Sequence, residues 1–354
     1  MMKGDSPVKP HPVSGWIHRP EGIGVLGLLL ALLTMLAGCD RPSAPMPIRI
    51  GLAMQPSAVL MILAREQGYF EQEGLAPAYT TYPGGKRALN DGLFADQADI
   101  TSTADLPAAE VLREGKDLVI AATLQSARSI NSIVARRDSG ISRIADLAGK
   151  RVGTQQISAV HFFLDRTLQA NGVESAQVVH AYYPAEQLVS ALADGKIDAL
   201  SMREPYVSQA LAQLGANGVA FEAPWVYPQF EVLVARRGYA QSHAEEMKRV
   251  LRALLRAERF LVGQPREAAA ILARSMKLTP AAAERVLAQT INRVSLSQAL
   301  LPMLETQLRW IETRSPATAH VTGNLLDALH LGSLQAVDSL RMDIAGLSQH
   351  EHPR

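Results

Sequence analysis

The sequence predicts an α/β fold of two lobes joined by two hinge strands, with a helical carboxyl-terminal tail packed on the first lobe. Three observations carry this expectation. From Ile48 onward, short apolar strands alternate with helical segments, the pattern of mostly parallel sheets with helices on both faces. Two similar stretches, residues 132–137 and 232–237, both end in Val-Ala-Arg-Arg and stand where one α/β unit gives way to the next. Beyond Gly238 the strand signals stop and helical periodicity takes over. Hydrophobic residues make up 47% of the 354 and charged residues 19%, enough for a sizeable core and incompatible with wholesale disorder.

The amino terminus reads as an address and an anchor. Lys3, Lys9 and Arg19 precede an apolar run from Ile23 to Ala37, short for a spanning helix but suited to a signal-peptide core. The run ends in Leu36-Ala37-Gly38-Cys39 and then turns polar. This resembles the lipobox of bacterial lipoproteins, which implies that residues 1–38 are removed and Cys39 is lipidated. The alternative is an uncleaved anchor with an incidental cysteine; either delivers the body outside the cytoplasm. Cys39 is the one cysteine, so no internal disulfide and no cysteine-based metal cluster is expected. Residues 39–47, with Pro42, Pro45 and Pro47, read as a short stiff tether.

The elements follow in order. Residues 48–137 form the first part of lobe 1. Ile48–Ala53 alternates as a strand, Gln55-Pro56-Ser57 is a turn with Ser57 a plausible N-cap, and Val59–Gln67 is a helix stopped by Gly68. Pro77–Tyr82 suits a strand, Gly84-Gly85 a loop, and a helix runs from Lys86 to Phe94. A strand near Asp99–Ser102, a helix over Leu106–Arg113 and a strand over Leu118–Leu124 complete the set. Lobe 2 is expected over 138–229, with strands at 151–154, 177–182, 197–201 and 219–221 alternating with helices at 158–170, 184–193 and 205–214. Residues 230–347 return to lobe 1 through a strand at 230–235, followed by helices at 244–261, 265–275, 280–291 and 300–313.

Charge narrows the function classes. Lys and Arg total 35 against 34 Asp and Glu, and aromatics are only 5%, so neither a basic surface nor a stacking platform for nucleic acid is present. In a two-lobed α/β protein, ligand sits beyond the carboxyl ends of the strands, where loops feed helix starts whose free N–H groups favour an anion. The loops that qualify hold Gln55 and Ser57, Gly84 and Gly85, Ser102, Thr103 and Asp105, and Ser158 and His161. Ser57, Asp105 and Ser158 are equally able to cap their own helices.

The stretch Ala64-Arg65-Glu66-Gln67-Gly68-Tyr69-Phe70-Glu71-Gln72-Glu73-Gly74-Leu75 resembles the first-lobe signature of periplasmic solute-binding proteins of ABC importers. The branch is the one taking sulfonates, taurine, nitrate and thiamine-pyrimidine precursors. Gly84-Gly85, the run from Asp138-Ser139-Gly140-Ile141 through Asp146–Gly153, Ala193–Ala199 and Glu204-Pro205-Tyr206 agree with it in order. The resemblance covers most of residues 48–237 and implies a type II-like binding-protein fold, a small polar or anionic ligand between the lobes, and permease and ATPase partners. No cofactor and no metal is expected. Where that family commonly has Trp before Glu-Pro, this chain has Arg203, whose planar fork suits sulfonate, carboxylate or phosphate. Arg203 is as well placed to pair with Glu204 or turn to solvent. Glu204 is able either to meet a ligand N–H or to hold Arg203, and His161 either to donate to an anion or to cap its helix.

Two other readings stay open at this level: an enzyme on the same fold, and a sensory binding protein. Against the enzyme, no Ser/His/Asp set, Walker loop or clustered metal-ligand spacing is present.

Overall fold

The computed structural model describes residues 44–127, 130–224, 226–315 and 324–344. Its strands are β1 (Met46–Ala53), β2 (Leu75–Tyr82), β3 (Ile100–Ala104), β4 (Leu118–Ala127), β5 (Asn131–Arg136), β6 (Arg151–Thr154), β7 (Val179–Tyr182), β8 (Ala199–Arg203), β9 (Gly218–Glu222), β10 (Gln229–Arg236), β11 (Thr290–Ser297) and β12 (Met342–Asp343). They make a seven-stranded sheet in the order β12-β11-β4-β10-β3-β1-β2 and a five-stranded sheet in the order β7-β6-β8-β5-β9. These are the centres of two α/β lobes. The larger sheet is threaded by segments on either side of the smaller one, as expected for a lobe inserted in the chain.

Central strands read as continuous apolar runs because both faces are covered. In β4, Leu118 through Leu124 are all buried. The helix Val59–Glu66 is buried over its first six residues and stops where Gly68 adopts a left-handed φ of 64°. The helix Ala244–Gly263 buries Met247, Val250, Leu251, Leu254 and Leu255 at helical spacing and keeps Glu245, Arg249, Arg252 and Arg256 outside, against residues 72–74 of the first lobe.

Several expectations are corrected. The sheets are mixed rather than mostly parallel: β1 runs parallel to β2 and β3, and β6 parallel to β7 and β8, but β10 is antiparallel to β3 and β4, and β5 to β8 and β9. The reason is topological. A strand entering a lobe from the crevice starts at the carboxyl ends of its neighbours, as Glu231 opposite Ala104 and Asn131 opposite Arg203 show. The two hinge strands expected at 132–137 and 232–237 therefore each lie within one sheet, and the changes of sheet fall between Ala127 and Asn131 and between Glu222 and Gln229.

The tail is not purely helical. The helix from Pro280 ends at Ala288, and β11 follows, antiparallel to β4. The exposed edge of β4 takes up the β-branched Thr290, Ile291 and Val294 as a further strand. Gly85 lies inside a short helix, Gly85–Arg87, and residues 88–93 continue in a wider helical turn in which Phe94 N–H bonds Leu89 O at 3.0 Å. Ser57 does not cap its helix through its side chain.

Candidate functional site

The crevice is built from strand ends. Gln55 leaves β1 in extended backbone and is 4% exposed. Its carboxamide is fixed at both ends: Oε1 accepts from Gly85 N–H at 3.0 Å and from Arg203 Nη2 at 2.9 Å, and Nε2 donates to the Glu231 carboxylate at 3.1 Å. Ser57 Oγ donates to Glu231 Oε2 at 2.6 Å. Arg203 ends β8 in the second lobe, so the Gln55–Arg203 bond crosses from one lobe to the other.

Close approach requires glycine at Gly85, where backbone is in the way, whereas at Gly84 the obstacle is the end of the Arg203 side chain. A Cβ on Gly84 would lie 2.7 Å from Arg203 Nη2, and one on Gly85 would lie 2.8 Å from Thr103 Cα. Arg203 is 9% exposed and Glu231 1%. Burial works against both charges, lowering the guanidinium's proton affinity and raising the carboxyl's above its usual range. For Glu231 the hydrogen bonds from Ser57, Ser102 and Gln55 partly offset this.

Around these groups, Thr103 Oγ1, Asn131 Oδ1 and Thr154 Oγ1 are buried without a hydrogen-bond partner. All three stand at or near the crevice ends of β3, β5 and β6. Unpaired buried polar atoms are uncommon in a settled core, and a ligand's polar groups are one way to satisfy them. Asn131 Nδ2 donates to Gln229 Oε1 at 3.0 Å. A second link between the lobes is Lys86, which donates to Gln156 O at 3.1 Å and Ile157 O at 2.7 Å and pairs with Glu110 at 2.8 Å.

Of the residues singled out in sequence, the structure gathers Gln55, Ser57, Gly84, Gly85 and Arg203 into one network, with Thr103 against Gly85 and Ser102 beside it in β3. The others are engaged elsewhere. Asp105 is fully buried, accepting from Tyr227 Oη, from Leu106 N–H at 3.0 Å and from Phe230 N–H at 3.2 Å; burial raises its pKa to about 7. Ser158 caps its own helix, accepting from His161 N–H at 3.3 Å. Glu204 accepts from Ser208 N–H at 3.1 Å and Ser208 Oγ at 2.8 Å, capping the helix Tyr206–Leu214 and not holding Arg203. Cys39 lies outside the described residues.

Sequence reasoning missed Glu231, Asn131, Gln229 and Lys86. Glu231 had a signal, a lone acid at the head of the apolar strand Val232–Ala235. The other three had none, since polar residues at strand ends are ordinary.

His161 belongs to a separate cluster with Asp165 and His180, whose ligand atoms lie within 4.8 Å of one another. The residue types suit a metal, but the geometry does not. Ile157 N–H donates to His161 Nδ1 at 3.2 Å, so Nδ1 holds the lone pair and Nε2 the proton, and Nε2 has no lone pair to offer. Asp165 Oδ2 is already held by Arg314 Nη2 at 2.6 Å, Arg314 Nε at 2.9 Å and Trp310 Nε1 at 2.9 Å. Burial lowers the His161 pKa to about 4. For Asp165 burial pulls the other way, but hydrogen bonds from His180, Ser175 and Arg314 outweigh it and hold the carboxyl well below the usual range. The arrangement ties the helix Leu300–Arg314 of the tail to the helix Ala159–Ala170 of the second lobe.

Two α/β lobes meeting over a buried, polar and incompletely satisfied crevice define the binding-protein class of fold. The chain belongs to the NMT1/THI5-like family, whose sequence profile matches residues 55–268. It is 27% identical over 252 residues to an Escherichia coli K12 protein named for binding aliphatic sulfonates, covering 71% of this chain and 77% of that one. It is 26% identical over 270 residues to the formylaminopyrimidine-binding protein of Halalkalibacterium halodurans, covering 70% and 77%. Among solved structures, the alkanesulfonate-binding protein SsuA from Xanthomonas axonopodis pv. citri bound to MOPS superposes with a TM-score of 0.70 at 23% identity, over 82% of this chain and all of that one. The desulfurization enzyme DSZB shares the fold at a TM-score of 0.59 and 15% identity, over 82% and 98%.

Proposed function

We propose that this chain is the solute-binding component of an ABC importer, closing its two lobes on a small polar or anionic solute and handing it to a membrane permease and its ATPase. The observation that carries the reading is the Arg203–Gln55 bond across the crevice, which puts a buried guanidinium at the end of β8 within reach of both lobes. Arg203 has five N–H donors, of which one is engaged with Gln55, so a planar acidic group is a natural complement. Gly84 and Gly85 allow the approach, and the unpartnered hydroxyls of Thr103 and Thr154 supply further contacts. Closure is a hinge motion in which contacts from both lobes stabilise the closed state. The named ligands of the relatives support a sulfonate or pyrimidine-like solute. The Leu36–Cys39 sequence supports a lipid anchor outside the cytoplasm, and among the described residues no helix is long and apolar enough to cross a membrane.

Calorimetric titration against sulfonates, nitrate and pyrimidines tests this. For the ligand that binds, Arg203→Ala should lower affinity about tenfold or more, and Arg203→Lys should recover only part, because a point charge cannot reproduce the fork. Binding by Arg203→Ala at wild-type strength would remove the main support for an acidic ligand group. The DSZB likeness makes turnover worth measuring too; the bound ligand is expected to be recovered unchanged.

A further inference from the structure

The carboxylate of Glu231 is the feature of the crevice that an anion-binding site does not explain. It is 1% exposed, sits at the crevice end of β10, and has no ion-pair partner within 4 Å among the described residues. Its hydrogen bonds come from neutral groups: Ser57 Oγ, Ser102 Oγ and the single amide nitrogen of Gln55 shared by both oxygens. None of these donors carries a charge to balance the carboxylate. Burying such a group without a cation is strongly unfavourable, and the shortfall is what a cationic partner would relieve. Arg203 does not supply it. Its side-chain hydrogen bond goes to the far end of the same carboxamide, leaving acid and guanidinium separated by the Gln55 amide.

The first lobe's donors, Gln55 Nε2 and Ser57 Oγ, are thus already occupied by the protein's own carboxylate. A simple anion drawn to Arg203 would meet no free donor from them and would face a like charge in a poorly solvated space. We propose that Glu231 is the specificity-determining residue of the crevice and that it selects a small zwitterion, with an ammonium group turned to Glu231 and an acidic group to Arg203. The two protein groups lie at opposite ends of one carboxamide, so the ligand's charged ends need be only a few atoms apart. This rests on the crevice being the solute site, as proposed above.

The test is a matched pair of probes, 2-aminoethanesulfonate and ethanesulfonate, which differ in the amine alone. Titration calorimetry on the whole protein should show the amino-bearing probe binding about tenfold or more tightly. In Glu231→Gln, which removes the charge and keeps the size, the two probes should come within about threefold of each other, with ethanesulfonate gaining. Should that variant fail to fold, the wild-type comparison alone still decides. Equal or tighter wild-type binding of ethanesulfonate overturns the proposal while leaving the crevice reading intact, as does a preference that survives Glu231→Gln. Binding of neither probe also overturns it; if nitrate and pyrimidines fail as well, the crevice reading falls with it.

Discussion

His161 and Asp105 carry opposite electrostatic tensions within one fold, and both come from burial. Ile157 N–H fixes the imidazole as a neutral tautomer, with Asp165, His180 and Arg314 around its other nitrogen and Lys86 nearby; its pKa falls to about 4. Unfolded, a histidine titrates near 6.5, so between about 6.5 and 4 the unfolded chain binds a proton that the folded one does not, and stability falls as pH falls through that window. Asp105 is the reverse. Its pKa rises to about 7 against about 4 unfolded, so the folded state holds the extra proton and stability falls as pH rises over about 4 to 7. Each effect is of order 3 kcal/mol and they oppose each other. Chemical denaturation of His161→Gln across this range should therefore show stability declining with rising pH, and Asp105→Asn should show it increasing. Two parallel profiles would mean that neither group is shifted as described.

Among the elements, the helix Leu300–Arg314 plays two parts. Leu300, Leu304, Leu308 and Ile311 bury its inner face, while Trp310 and Arg314 reach Asp165 on the second lobe. If these bonds, which join the two lobes, break when the crevice opens, they favour the closed state. Asp165→Asn keeps the shape but loses the charge that holds Arg314. We expect solute release to quicken by about fivefold or more, with association little changed, since truncated contacts act mainly on dissociation. Stopped-flow kinetics with the solute found by titration checks this; an unchanged release rate would mean that the contact persists in the open form. The same helix shows why helical periodicity was enough to find an element and not its partners. Apolar spacing marks the inner face, but Trp310 and Arg314 read as ordinary surface residues until the second lobe is beside them.

For the whole molecule, lobe 2 is one insertion in a sheet whose last strands come from the tail. The ordered β10 and β5 begin at the crevice, which is why polar residues at their heads become site residues. The proposed anchor is a matter for the whole chain too. If Cys39 is the acylated residue, Cys39→Ala should lose both fatty-acid labelling and membrane fractionation while the body still binds solute. Persistent labelling would refute the lipobox reading.

The alternation of strand and helix, the glycine pair and the position of Arg203 were legible because each depends on local chemistry: period, backbone freedom at close approach, and residue type. Strand direction, the edge strand β11 and the engagement of Asp105 and Glu204 were not, since each is set by neighbours distant in sequence. Glu231 states the division most plainly. Its acid at the head of an apolar strand was visible in the sequence. That it lies buried against Gln55 and Ser57, 176 and 174 residues away in the chain, was decided only when β10 entered the sheet beside β3. Burial and partners, not the side chain itself, turn a carboxylate into a binding group.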